Sequence, residues 1–154
     1  MDKMRIESCG AARIAGMVHQ GPYLDISRTF QKFLDAHGGD DGLDRSRGMV
    51  AVFFDDPKTT PANDLRSLAG MFLLPDATAP ESLETCDFPA GRYAVLTHEG
   101  PYDGLAAVYE WLYGTWLPGS GESALPLPPF ERYLKTPPDA APEGYVTEVY
   151  VALS

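Results

Sequence analysis

Glu148 stands inside "YVTEVYVAL" (Tyr145–Leu153), a run otherwise made of apolar and aromatic residues and a threonine. A carboxylate in such a strand is costly to bury unless it finds a partner, takes up a proton or meets a ligand. Arg132 or Lys135 could pair with it, and an exposed sheet edge would relieve it. A second glutamate, Glu131, lies in "PPFERYL" two residues from Tyr133, as Glu148 lies two residues from Tyr150. Strand alternation places Glu131 with Tyr133 on one face and Glu148 with Tyr150 on one face. Whether those faces coincide depends on a hairpin register that the letters do not fix. Two chemistries suit a carboxylate among phenols. It can hold a cation, or it can act as general base on a water while Tyr133 or Tyr150 orients an electrophile. Glu131 has a structural alternative as an anchor of the hairpin.

Other chemistries find less support. His19 and His98 have no local cluster of carboxylates or cysteines, so strand-end packing is the expected role and neither a metal nor another cofactor is implied. Cys9 and Cys86, in "ESC" and "ETC", show neither metal spacing nor a disulfide framework and read as small buried residues. No Ser-His-Asp arrangement or phosphate loop is recognisable. The net charge of -10 opposes direct nucleic-acid binding and is compatible with a cationic small molecule or a basic partner. Neither a signal peptide nor a run of roughly 20 apolar residues appears, so no membrane partner and a cytoplasmic setting are expected.

The scaffold behind these residues is written twice. "VHQGPYLDI" (18–26) returns as "THEGPYDGL" (97–105), and an offset of 79 carries Arg13 to Arg92, His19 to His98 and Tyr23 to Tyr102. The same offset carries Ile26, Phe30, Phe33 and Leu34 to Leu105, Tyr109, Leu112 and Tyr113, the apolar stripe of an amphipathic helix. "RIAGMVH" and "RYAVLTH" upstream read as strands, and the Gly-Pro pair reads as a strand-to-helix corner. Asp25 and Asp103 complement the dipole of the helix that follows. Each helix leads into a hairpin, where an offset of 81 aligns Pro61 with Pro142 and Pro57 with Pro138. The expectation is a single α+β domain over 1–154, with repeats at about 5–74 and 88–153, each a strand-helix-strand-strand module. Two such modules would give antiparallel sheets and two long helices. "PDATAPESLETCDFPAG" reads as a connector, and "LPGSGESALPLPP" (117–129) as an irregular loop.

At the 81-residue offset, Val50, Val52, Ser67 and Ala69 become Glu131, Tyr133, Glu148 and Tyr150, so polar groups gather in the second copy alone. Val108 and Trp111 replace Thr29 and Lys32 on the second helix. Val108 reads as core; Trp111 and Tyr113 read as a cleft wall with aromatic faces for a cation. Trp116 reads as an anchor for the loop after it. Tyr23 and Tyr102, present in both copies, read first as structural, with rims of one cleft as the alternative.

The two "GPY" corners, "WLPGSG", "PPFERYLKTPP" and the terminal "TEVYVAL" together resemble the GyrI-like (gyrase-inhibitor-like) family, the effector-binding domain of AraC- and MerR-type transcription regulators. The resemblance covers nearly the whole chain. It implies a pseudo-twofold axis relating the two modules, a central ligand cleft between them and multidrug-like binding of hydrophobic or cationic effectors, and it makes the terminal-strand glutamate, here Glu148, a recognition carboxylate. Glu131, Trp111, Tyr113, Tyr102, Tyr23, Tyr133 and Tyr150 would complete the ligand site. The family also implies two alternatives. One is hydrolysis of strained-ring electrophiles with Glu148 as base, and the other is inhibition of DNA gyrase. With no DNA-binding helices expected ahead of the domain, regulation of transcription would need a separate partner.

Overall fold

The computed structural model describes residues 3–137 and 139–154; Pro138, one member of the Pro57–Pro138 correspondence, lies outside them. The fold is α+β. Its strands are β1 (Lys3–Cys9), β2 (Ala12–Gln20), β3 (Met49–Phe53), β4 (Arg66–Phe72), β5 (Glu84–Phe88), β6 (Gly91–Glu99), β7 (Phe130–Lys135) and β8 (Val146–Ala152). The helices are α1 (Ser27–His37), α2 (Leu105–Trp111) and α3 (Leu117–Ser120), with a π-helical turn over Leu112–Trp116 joining the last two. No helix among the described residues is long and apolar enough to cross a membrane.

The chain divides into two compact units, Ala11–Pro89 and Met1–Gly10 with Ala90–Ser154. In the first, the antiparallel order is β3-β4-β2-β5. Helix α1 presents Phe33, fully buried, to Ala15, Leu43, Met71, Leu73 and Leu83. In the second, the order is β1-β6-β8-β7, and α2 buries Leu105 and Val108, with Leu112 beyond them, against Ala94, Leu96, Val149 and Val151. These helices form because their apolar residues recur at the helical period, and burial of that stripe supplies most of their stability.

Three expectations are corrected. The connector contains β5, which pairs with β2 through Ile14↔Cys86 and its neighbours. "ETCDF" carries too few apolar residues to announce an edge strand, and the same holds for β1. Because each is an edge strand, Cys9 and Cys86 are half-buried rather than core residues. The segment after Trp116 remains helical through Ser120 and stops at Gly121, whose φ of 77° ends the helix.

The Gly-Pro corners are built alike. Gly21 and Gly100 have φ of 123° and 134°, and their amides donate to the carbonyls of Leu65 and Tyr145, both at 2.8 Å. Each preceding histidine ties the corner down, with Nε2 3.0 Å from the Pro22 carbonyl for His19 and 3.1 Å from that of Pro101 for His98. A side chain at Gly100 would strain this backbone. Gly100→Ala is therefore expected to lower stability by about 1–3 kcal/mol in urea denaturation. Gly119→Ala, on a helical turn with open space around the added carbon, should be neutral or slightly stabilising.

Candidate functional site

The register of β7 on β8 decides which side chains meet. Arg132 faces Glu148, Glu131 faces Val149, Tyr133 faces Thr147 and Phe130 faces Tyr150. Directly paired residues share a face, so Glu131 and Tyr133 lie on the α2-covered face with Val149, Thr147 and Leu96. Glu148, Tyr150 and Arg132 lie on the opposite face. The two glutamates do not form one site.

The register also corrects the 81-residue offset. His19 pairs with Ser67 and His98 pairs with Thr147, so β4 maps on β8 at an offset of 80. Phe53 pairs with Ser67 as Tyr133 pairs with Thr147. Glu131 and Tyr133 therefore stand where the first unit has Ala51 and Phe53, and Glu148 and Tyr150 where it has Leu68 and Gly70. A slip of one residue moves every side chain to the other face. Pro61 and Pro142 are 81 apart, whereas the strand pairs Phe53–Ser67 and Tyr133–Thr147 correspond at 80, so the two prolines occupy positions that differ by one residue in segments of equal span.

Glu131 is the more isolated acid. It is 3% exposed, and its Oε1 and Oε2 accept from the hydroxyls of Tyr133 and Tyr109, both at 2.7 Å. Burial pushes the Glu131 carboxyl above its ordinary range, while the two phenol bonds and the charge of His98 pull it partly back. Burial and the adjacent carboxylate raise both phenols well above their usual value. Aromatic rings extend the cluster. Tyr102 meets Tyr133 edge-on at 5.7 Å and stacks on Tyr145 at 4.9 Å, and Tyr109 stacks on Tyr113 at 6.4 Å. Along the same sheet face, Ala94, Leu112, Tyr113, Trp116, Leu117 and Val151 line a shallow apolar hollow at the π-helical turn.

Glu148 is buried but neutralised. Arg5 Nη2 donates to its Oε2 at 2.8 Å, the Tyr150 hydroxyl donates to Oε1 at 3.0 Å, and Arg132 Nη1 lies 3.5 Å from Oε1. Of the two ion-pair partners weighed from the sequence, Arg132 is present. Arg5 comes from β1 and is the closer. Tyr150 stacks on Phe130 with centroids 4.6 Å apart, and burial raises its phenol. This face holds a charge-balanced cluster, whereas the other holds an acid satisfied by phenols.

A model of the family described as "GyrI-like small molecule binding domain" matches residues 2–154. The chain belongs to this family. Over 110 residues the GyrI-like chain is 34% identical to the DNA gyrase inhibitor of Escherichia coli (strain K12), covering 68% of the chain and 67% of the relative. It is 29% identical over 104 residues to the probable transcriptional regulator YgiV of the same organism, covering 67% and 65%. Among solved structures, the EcmrR C-terminal domain matches at a TM-score of 0.76 and 14% identity, over 100% of this chain and 98% of that one. SAV2435 bound to tetraphenylphosphonium matches at 0.70 and 11%, over 99% and 94%. At these identities the structural matches speak for the fold.

The remaining candidates of the GyrI-like domain separate by location. Trp111 and Tyr113 are each 40% exposed on the α2 segment. Tyr102 lies half-buried beside Tyr133 and Tyr145. Tyr23 belongs to the other unit, where its hydroxyl donates to the Asp55 carbonyl at 2.6 Å and accepts from the Asp55 amide at 3.0 Å, locking a turn. Two participants escaped the sequence reading. Tyr109 was visible only as a stripe residue, although at the 79-residue offset it aligns with Phe30 and adds a hydroxyl. Arg5 gave no signal, because nothing marked β1 as a strand.

Proposed function

We propose that this GyrI-like domain binds a hydrophobic organic cation, with Glu131 as the charge-selecting carboxylate. The supporting observation is that Glu131 is almost fully buried and is held by phenols alone, with no lysine or arginine in ion-pair range among the described residues. A buried acid with no lysine or arginine beside it, and only the His98 imidazole acting on it through space, rewards an arriving cation and disfavours a neutral ligand. Glu148 lacks that property, since Arg5 and Arg132 already balance it. Access to Glu131 requires one of its tyrosines to swing aside, and the rings of Tyr102, Tyr133 and Tyr109 would then face the ligand. The match to SAV2435, bound to tetraphenylphosphonium, agrees with this ligand class.

Calorimetric titration with tetraphenylphosphonium, and with neutral triphenylphosphine oxide for contrast, tests the reading. Wild type should prefer the cation, Glu131→Gln should weaken its binding at least about tenfold, and Glu148→Gln should leave the preference in place. Loss of binding in Glu148→Gln with Glu131→Gln unaffected would transfer the site to the opposite face.

The raised Glu131 carboxyl, beside phenols able to donate to an electrophile, supports a second reading. In it Glu131 would act as general base in hydrolysis of a strained-ring electrophile. Formation of diol from styrene oxide by wild type and not by Glu131→Gln would favour it. The similarity to a protein named DNA gyrase inhibitor supports gyrase as a partner, for which unchanged supercoiling at high excess of the domain would count against the idea.

A further inference from the structure

The Ala11–Pro89 unit contains a constellation that its sequence spacing conceals. The His37 Nδ1 and Asp40 Oδ2 atoms are 2.7 Å apart, and His37 Nε2 lies 3.2 Å from the Ser82 hydroxyl. With Asp40 accepting from Nδ1–H, the imidazole lone pair is at Nε2, where the serine hydroxyl donates. That is the order of roles in a serine nucleophile, its general base and the acid that orients the base.

We propose that Ser82, His37 and Asp40 form a nucleophilic site that takes acyl groups from small neutral esters. Three features of the surroundings suit the chemistry. The imidazole is held in place, with its side chain 13% exposed and its ring 6.0 Å from that of the fully buried Phe33. Asp40 is positioned by its amide, which donates to the His37 carbonyl at 2.9 Å, and by Arg45, which donates to the Asp40 carbonyl at 2.9 Å and also to that of Gly38. Ser82 is exposed, so an ester can reach its hydroxyl. His37 also occupies the last turn of the 11-residue α1, whose carbonyl end favours the imidazolium formed during the reaction. The Ser82 amide donates to no backbone acceptor among the described residues and lies beside its own hydroxyl, where an oxyanion would develop.

In the first step, the Ser82 oxygen bonds to the ester carbonyl carbon while its proton passes to His37 Nε2. The bond from that carbon to the alcohol oxygen then breaks, and the departing alcohol carries the proton away. Water gives its proton to the same nitrogen, attacks the acyl-serine and releases the acid, and Ser82 recovers its hydrogen. Asp40 remains ionised throughout. Asp40, Asp41, Glu81 and Glu84 flank the segments involved, which disfavours anionic esters and sets the substrate class as neutral.

The test is reaction of the full chain with p-nitrophenyl acetate, followed by peptide mass mapping and stopped-flow release of nitrophenol. The expected result is a burst of no more than one equivalent per chain, with the acetyl group on Ser82. Ser82→Ala should lose the adduct while its melting temperature stays unchanged. His37→Gln should slow acylation at least about 100-fold, and Asp40→Asn at least about tenfold. Acetylation confined to lysine or tyrosine, or an unchanged burst in Ser82→Ala, would overturn the proposal. If His37→Gln fails to fold, the exposed Ser82 variant decides alone.

Discussion

Gly70→Ala is expected to destabilise the Ala11–Pro89 unit by more than about 3 kcal/mol, a fall in melting temperature on the order of 10 °C. Gly70 lies directly opposite Gly16 in the β2–β4 ladder. A carbon added to Gly70 would fall 1.9 Å from the Ala15 carbonyl oxygen and 2.6 Å from the Gly16 Cα. The obstruction is backbone, so no flexible side chain can turn away. Nor can β2 retreat cheaply, because Gly16 also pairs with Glu84 of β5, and a shift would break hydrogen bonds on both sides of the strand. Gly16→Ala meets the Ala69 carbonyl oxygen at 2.4 Å and should behave similarly. Urea denaturation checks both, and a midpoint equal to wild type would show that the ladder can open without cost.

The second unit differs at the corresponding ladder position. Where the first unit pairs Gly16 with Gly70, the second pairs Val95 with Tyr150. There both residues carry side chains, and the Tyr150 phenol lies against Phe130 and Glu148. Both corners and both helices were legible in the sequence because Gly-Pro and an apolar stripe are local signals. Strands β1 and β5 were not legible. "KMRIESC" and "ETCDF" are half-exposed edges whose pairing is settled by partners far along the chain. Glu131 and Glu148 were legible as unusual acids, but their division between two faces was not. That depended on a one-residue register set by His98 opposite Thr147, whereas the prolines of the loops pointed to the neighbouring register. The Ser82 cluster was invisible for the same kind of reason. His37 and Asp40 are one turn apart, but Ser82 arrives from 45 residues away.

Glu131→Ala should cost about 2–4 kcal/mol at neutral pH, because it removes the acceptor of two phenol hydroxyls at once. Glu131→Gln should cost far less, since its amide can accept from one tyrosine and donate to the other. The pH response separates these effects from simple packing loss. Burial raises the Glu131 carboxyl in the folded protein, so the folded state holds that proton more tightly than the unfolded chain does. The stabilising contribution of the group is therefore full below its unfolded pKa, and it is lost as pH climbs through the higher folded value. Glu131→Gln carries no such titration, so its stability relative to wild type should improve across that window. Cation binding must run the opposite way, because only the ionised carboxylate attracts tetraphenylphosphonium, and affinity should strengthen over the same interval. Denaturation and titration between about pH 4 and 8 would read both slopes from one side chain. Persistence of the wild-type slopes in Glu131→Gln would assign the titration to another group and remove Glu131 as the selecting charge.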